Sequence, residues 1–166
     1  MECRKLEIIL VSANNLPDVR SFGRMKVYAE VSIIGEDTST RTTVDTDGET
    51  NPRWNFPLEY TFEEAFLQNP GLVVGVKLYC ERTLGNRYIG EVNISVKGLF
   101  DYGPRVENVL TYTVDGTEGG KLNILYSFGN KFLAPKPSLG KKVLDAGLKV
   151  MVQGTLSYLN GDFQDL

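Results

Sequence analysis

The chain has 166 residues, 42% hydrophobic and 23% charged, with 17 glycines and 7 prolines, which suits one buried core and a modest appendage. A net charge of −3 supplies no global positive field, so nucleic acid is not an expected partner and any anion must be met by a local patch. Two cysteines, Cys3 and Cys80, are too few for a disulfide framework, and histidine, the commonest general base and metal ligand, is absent.

The first apolar run, Leu6, Ile8 and Leu10, alternates with period two, and Met25, Val27, Ala29, Val31 and Ile33 repeat the pattern. That is the signature of strands with one buried face. Further runs at 41–44, 54–62, 72–80, 88–96, 106–114 and 121–128 bring the expected count to eight strands. Between them stand Asp47-Gly48, Asn69-Pro70-Gly71, Gly85-Asn86, Gly103-Pro104 and Gly119-Gly120, the residue types that tight turns need. Short helical turns are expected only at 63–68 and 96–100. The pattern predicts an all-β, antiparallel sandwich.

After residue 128 the stretch Gly129-Asn130-Lys131-Phe132-Leu133-Ala134-Pro135-Lys136-Pro137-Ser138 reads as a linker, because prolines and small polar residues do not continue a strand. The expected division is a domain over 1–130 and a linker with a C-terminal tail over 131–166. In the tail, Leu144, Leu148, Met151, Val152, Leu156 and Leu159 fit one face of an amphipathic helix, yet Leu144, Ala146, Leu148, Val150 and Val152 also alternate as a strand would. Both readings stay open. No stretch reaches the roughly 20 apolar residues of a membrane span, and Met1-Glu2-Cys3-Arg4-Lys5 lacks a signal-peptide layout. The expectation is a cytoplasmic chain whose membrane contact is peripheral.

Four segments carry a family resemblance: Leu6 through Leu16 with its closing Ala13-Asn14-Asn15-Leu16, then Lys26-Val27-Tyr28-Ala29-Glu30-Val31, then Asn51-Pro52-Arg53-Trp54-Asn55, then Tyr88-Ile89-Gly90-Glu91. In this order and spacing, over residues 4–128, the chain resembles a C2 domain. The final Gly120-Lys121-Leu122-Asn123-Ile124-Leu125-Tyr126 looks like the opening strand of the circularly permuted form, which implies an eight-stranded sandwich of type II topology. Within the family the chain is most similar to small plant cold-regulated C2 proteins and their copine-associated (BON-association) relatives, linked to stress signalling and immunity at membranes.

The resemblance also implies a place for calcium, built from acidic residues of the first and third loops at one end of the sandwich. This sequence departs from that pattern. Aligned on Gly23 and Tyr28, Arg20 and Lys26 stand where two aspartates are usual, with Asp18 two positions away. Aligned on Ile89-Gly90-Glu91, the third loop offers Arg82 and Arg87, and only Glu81 as an acid. Calcium takes about six to eight oxygen ligands, and its affinity depends on ligand number and charge. No metal or cofactor is therefore expected here, and the nearest acids, Asp18 and Glu81, are a degenerate remnant. Arg20, Phe22, Arg24, Lys26, Arg82 and Arg87 become candidate lipid contacts: arginine bonds phosphate bidentately, and Phe22 is a candidate wedge for the bilayer interface. The plain alternative is that the cations solvate the loops and Phe22 folds back as packing.

Other motifs fail on their own terms. Asp45-Thr46-Asp47-Gly48 begins like a calcium loop, but Phe56 stands where the closing glutamate would be, which leaves a turn. Ser138-Leu139-Gly140-Lys141 lacks the companion elements of a serine nucleophile site. Trp54 and Cys80 read as core. The sequence thus predicts a non-catalytic module that targets anionic phospholipid membranes without calcium, at the plasma membrane or endomembranes, in stress or defence signalling. The alternative is a protein–protein adaptor domain that docks a signalling partner and has no lipid affinity.

Overall fold

The computed structural model describes residues 1–134 and 150–152. Among them the strands are β1 (Glu2–Asn14), β2 (Val27–Ile33), β3 (Ser39–Arg41), β4 (Arg53–Glu63), β5 (Val73–Cys80), β6 (Arg87–Ser95), β7 (Leu110–Thr113), β8 (Lys121–Phe128), β9 (Phe132–Leu133) and β10 (Val150–Val152). A 3-10 turn at Glu64–Phe66 follows β4, and helix α1 (Val96–Tyr102) follows β6. One sheet runs β10-β4-β1-β8-β7, with β9 pairing the start of β1, and the other runs β3-β2-β5-β6. Every strand pairing among the described residues is antiparallel.

The alternation seen in the sequence decides which face each strand buries. Leu6, Ile8 and Leu10 of β1 point inward opposite Val27, Ala29, Val31 and Ile33 of β2, and all are buried in one core. Trp54 and Cys80 belong to it as well. At about 1.5–3 kcal/mol for each fully buried large aliphatic or aromatic side chain, this layer supplies most of the force that holds the two sheets together.

Three expected elements are shifted, each for a local reason. Strand β3 ends at Arg41 instead of running over 41–44, because the ladder is only half kept at Thr42: its N–H donates to the Ala29 carbonyl at 2.9 Å, but its Oγ1 accepts from the Ala29 N–H at 2.9 Å in the place of its backbone carbonyl. Strand β7 starts at Leu110 instead of 106; upstream of it only an isolated bridge, Arg105 with Ser127, is formed. Beyond 128, inside the stretch read as a linker, Phe132 and Leu133 pair with Cys3 and Glu2. The tail's helical or strand character is answered only at Val150–Val152, where the backbone pairs with Tyr60–Phe62 of β4; the other tail residues singled out in the sequence lie outside the described residues.

Helix α1 is capped by Ser95, whose Oγ accepts from the Gly98 N–H at 3.0 Å. Two motifs have clear structural duties. Trp54 donates from Nε1 to the Val27 carbonyl at 3.1 Å, which pins the start of β2 to β4. Gly90 lets the backbone at Asp115 come close: a Cβ there would lie 2.5 Å from the Asp115 carbonyl oxygen, and Glu91 and Asp115 exchange N–H···O bonds of 3.1 and 2.8 Å.

Candidate functional site

Loop 1 (15–26), loop 2 (42–52) and loop 3 (81–86) gather at one end of the sandwich. Loops 1 and 2 are joined where the Leu16 N–H donates to the Thr50 carbonyl at 3.0 Å, and Asn51 Oδ1 accepts from the Asn15 N–H at 2.9 Å. Loops 1 and 3 are joined at their bases, where the Glu81 N–H donates to the Lys26 carbonyl at 2.7 Å. Loop 3 is further tied down by Asn86, whose Nδ2 donates to the Tyr28 hydroxyl at 2.8 Å.

Loops 1 and 3 are built alike. Loop 1 reads Arg20-Ser21-Phe22-Gly23 and loop 3 reads Arg82-Thr83-Leu84-Gly85. Each arginine folds back onto a carbonyl of its own loop beyond the apolar residue: Arg20 Nη1 donates to the Arg24 carbonyl at 2.8 Å, and Arg82 Nε donates to the Gly85 carbonyl at 3.0 Å. Both glycines have positive φ, +74° and +112°, which a residue without a Cβ adopts at little cost. The clamp and the turn together push the intervening side chain outward. Phe22 is 86% exposed and Leu84 97%, the two largest exposures among the large hydrophobic residues described.

The two loops face each other across an open cleft of about 300 Å³ lined by Arg20, Ser21, Phe22, Arg82, Thr83 and Leu84. Of the residues singled out in the sequence, Arg20, Phe22 and Arg82 are brought together in it. Arg24, Lys26 and Arg87 are exposed beside it but do not line it. Leu84 was missed by sequence reading, since a single apolar residue in a polar turn breaks no periodicity; its repetition of the Arg-(Ser/Thr)-apolar-Gly pattern of loop 1 is the signal that finds it.

The cleft does not suit calcium. Its lining contains no carboxylate, and among the described residues no three His, Cys, Asp or Glu side chains come together as metal ligands. Asp18 is engaged in its own turn, with Oδ1 accepting from the Arg20 N–H at 2.9 Å. In loop 2, Asp45 is spent internally: Oδ1 accepts from the Asp47 and Gly48 N–H groups at 2.8 and 2.6 Å, and Oδ2 from the Arg53 N–H at 2.8 Å. Burial pushes this carboxyl upward, but the three backbone donors outweigh it and hold its pKa below the usual carboxylate range. A calcium ion needs several uncommitted oxygens, whereas two guanidiniums repel it.

Residues 4–111 match the model of the C2 domain family. The chain is 33% identical over 160 residues to the Protein SRC2 homolog of Arabidopsis thaliana, covering 87% of this chain and 49% of that protein. It is also 33% identical over 144 residues to Protein SRC2 of Glycine max, covering 81% and 49%. The chain thus spans about half the length of these curated relatives. Among solved structures, the paired C2 domains of Extended-Synaptotagmin 2, described as calcium bound, superpose with a TM-score of 0.63 at 18% identity, over 75% of this chain and 45% of that one. A single C2 domain of plant Extended Synaptotagmin 1 superposes at 0.57 and 19% identity, over 75% and 92%. At these identities the structural likeness is one of fold. The C2 module is a non-catalytic scaffold, and by the family match over most of its length this chain belongs to the C2 domain family, related to the plant SRC2-type proteins.

Proposed function

We propose that the chain is a peripheral membrane-targeting module that sets the loop 1–loop 3 end onto anionic phospholipid without calcium. The observation that carries this reading is the pair of exposed apolar tips, Phe22 and Leu84, on either side of a cleft that also holds Arg20 and Arg82. An apolar side chain entering the bilayer interface gains about 1.5–3 kcal/mol when fully buried, and less when it stops among the headgroups. The guanidiniums then lie at the depth of the lipid phosphates, where they bond bidentately. Arg24, Lys26 and Arg87, exposed beside the cleft, add long-range attraction of about 1 kcal/mol each near an anionic surface. Arginine in this arrangement performs the bridging that calcium would otherwise provide.

Several finer features belong to the same proposal. Location at the cytoplasmic face of the plasma membrane or endomembranes follows from the lipid preference. The resemblance to small plant cold-regulated C2 proteins supports a role in stress or defence signalling, with a signalling protein as a second partner. The order β4-β1-β8-β7, in which the last long strand lies beside the first, supports the type II permutation.

Cosedimentation with phosphatidylserine and phosphoinositide vesicles, with chelator and with added calcium, tests the proposal. Equal binding in both conditions is expected. Binding only with calcium would overturn the calcium-independent mechanism, and no binding in either would leave protein docking as the function.

A further inference from the structure

The cleft offers more than positive charge, and we infer that it selects a phosphomonoester headgroup, of which phosphatidic acid is the membrane form, over phosphodiester lipids of equal charge. This inference rests on the membrane-docking reading. Each guanidinium carries five N–H donors, and among the described residues Arg20 and Arg82 each spend one on a carbonyl of their own loop. The rest face no protein acceptor among those residues. The clamp fixes each side chain before any ligand arrives, so little rotamer entropy remains to be lost on binding. Ser21 and Thr83 line the same cleft, and their hydroxyls offer two further donors.

This donor set matches a terminal phosphate. A phosphomonoester has three terminal oxygens and a charge of about −1.5 to −2 at pH 7, enough acceptors to engage two guanidinium forks and two hydroxyls together. A phosphodiester has two terminal oxygens and a single charge, so it engages fewer of these donors at once, and the additional charge-assisted bonds favour the phosphomonoester. The flanking side chains fix the depth. Phe22 and Leu84 project from the same cleft, so when they reach the acyl boundary the guanidiniums lie at the level of the glycerol-linked phosphate. In phosphatidic acid that phosphate is the terminal one. In a phosphoinositide the monoester groups stand further out on the inositol ring.

The test uses the full chain, chelator throughout, and phosphatidylcholine vesicles carrying phosphatidic acid or phosphatidylserine adjusted to the same zeta potential. Binding about tenfold tighter to phosphatidic acid is expected, equivalent to about 1.4 kcal/mol. The double variant R20K/R82K keeps the charge but loses the planar forks, and is expected to bring phosphatidic acid binding down to the level of wild type on phosphatidylserine. Its thermal melt checks that the domain is folded, and the wild-type comparison needs no variant. Equal binding of wild type to the two vesicles would overturn the headgroup inference while leaving membrane docking intact, whereas binding to neither would overturn the docking reading itself. A preference that survives R20K/R82K would overturn the role of the forks. Competition with millimolar sn-glycerol 3-phosphate separates the two sources of the group: displacement assigns the recognition to the phosphomonoester alone, and retention with the preference intact assigns it to the lipid.

Discussion

Loop 2 turns on a carboxylate, and loops 1 and 3 turn on guanidiniums, at the same end of the same sandwich. Asp45 takes three backbone N–H bonds, two from its own loop and one from Arg53 at the start of β4, and has little left with which to ligate anything. Arg20 and Arg82 each give one N–H to their own loop and keep the greater part of their donors. A structural bond therefore consumes the acid and only steadies the bases. Counting charges along the rim, in which Asp45 cancels an arginine, misses this asymmetry, because what matters for a ligand is the bonding capacity left over.

The largest effect should come from removing the tips that this arrangement holds out. The double variant F22A/L84A is expected to lower vesicle affinity by about two orders of magnitude, taking about 1–1.5 kcal/mol for each partly inserted side chain, with an unchanged melt because both side chains are exposed; flotation assays across a lipid titration measure it. The opposite loop should respond in stability. D45A leaves three backbone donors without their charged acceptor and is expected to cost about 2 kcal/mol, or about 4–8 °C in Tm for a domain of this size, while the folded fraction binds vesicles as wild type does.

A smaller effect distinguishes the Asp45 charge from its shape. Since its pKa is depressed in the folded state, its contribution is present above the unfolded value of about 3.9 and is lost as the pH falls through the folded value. Urea midpoints of wild type and D45N should differ at pH 6 and converge below pH 4; a gap that persists at pH 2 would remove the charge from the account. Smallest is G23A. A Cβ at φ +74° costs about 1 kcal/mol, expected as a Tm loss of about 2–4 °C, with a lower vesicle affinity only if the turn relaxes and withdraws Phe22.

The long strands were legible in the sequence because each has a buried face: Leu6, Ile8 and Leu10, or Val27, Ala29 and Val31, alternate over enough residues to leave no other reading. The short ones were not. Strand β3 ends because one threonine hydroxyl replaces a carbonyl, and β9 forms from Phe132 and Leu133, both exposed, so hydropathy gave no signal for either. At the site, Phe22 stood out as an aromatic residue before a glycine, and Arg20 and Arg82 as bases where acids were expected. That each arginine clamps its own turn was hidden, since a side chain bonding to a carbonyl three or four residues away leaves no compositional trace. Leu84 leaves one trace, the repeated Arg-(Ser/Thr)-apolar-Gly pattern, whose meaning is plain once loop 3 lies across from loop 1.

The short bond from the Glu81 N–H to the Lys26 carbonyl ties the bases of the two tip-bearing loops, and its consequence is kinetic. Phe22 and Leu84 cannot arrive at a bilayer as independent events: once one has entered, the other is already at the surface, at an effective concentration set by the cleft instead of by the solution. Escape requires both to leave within the same opening. The residence time on the membrane should therefore lengthen far more from two modest tips than either would give alone, with little change in the rate of arrival.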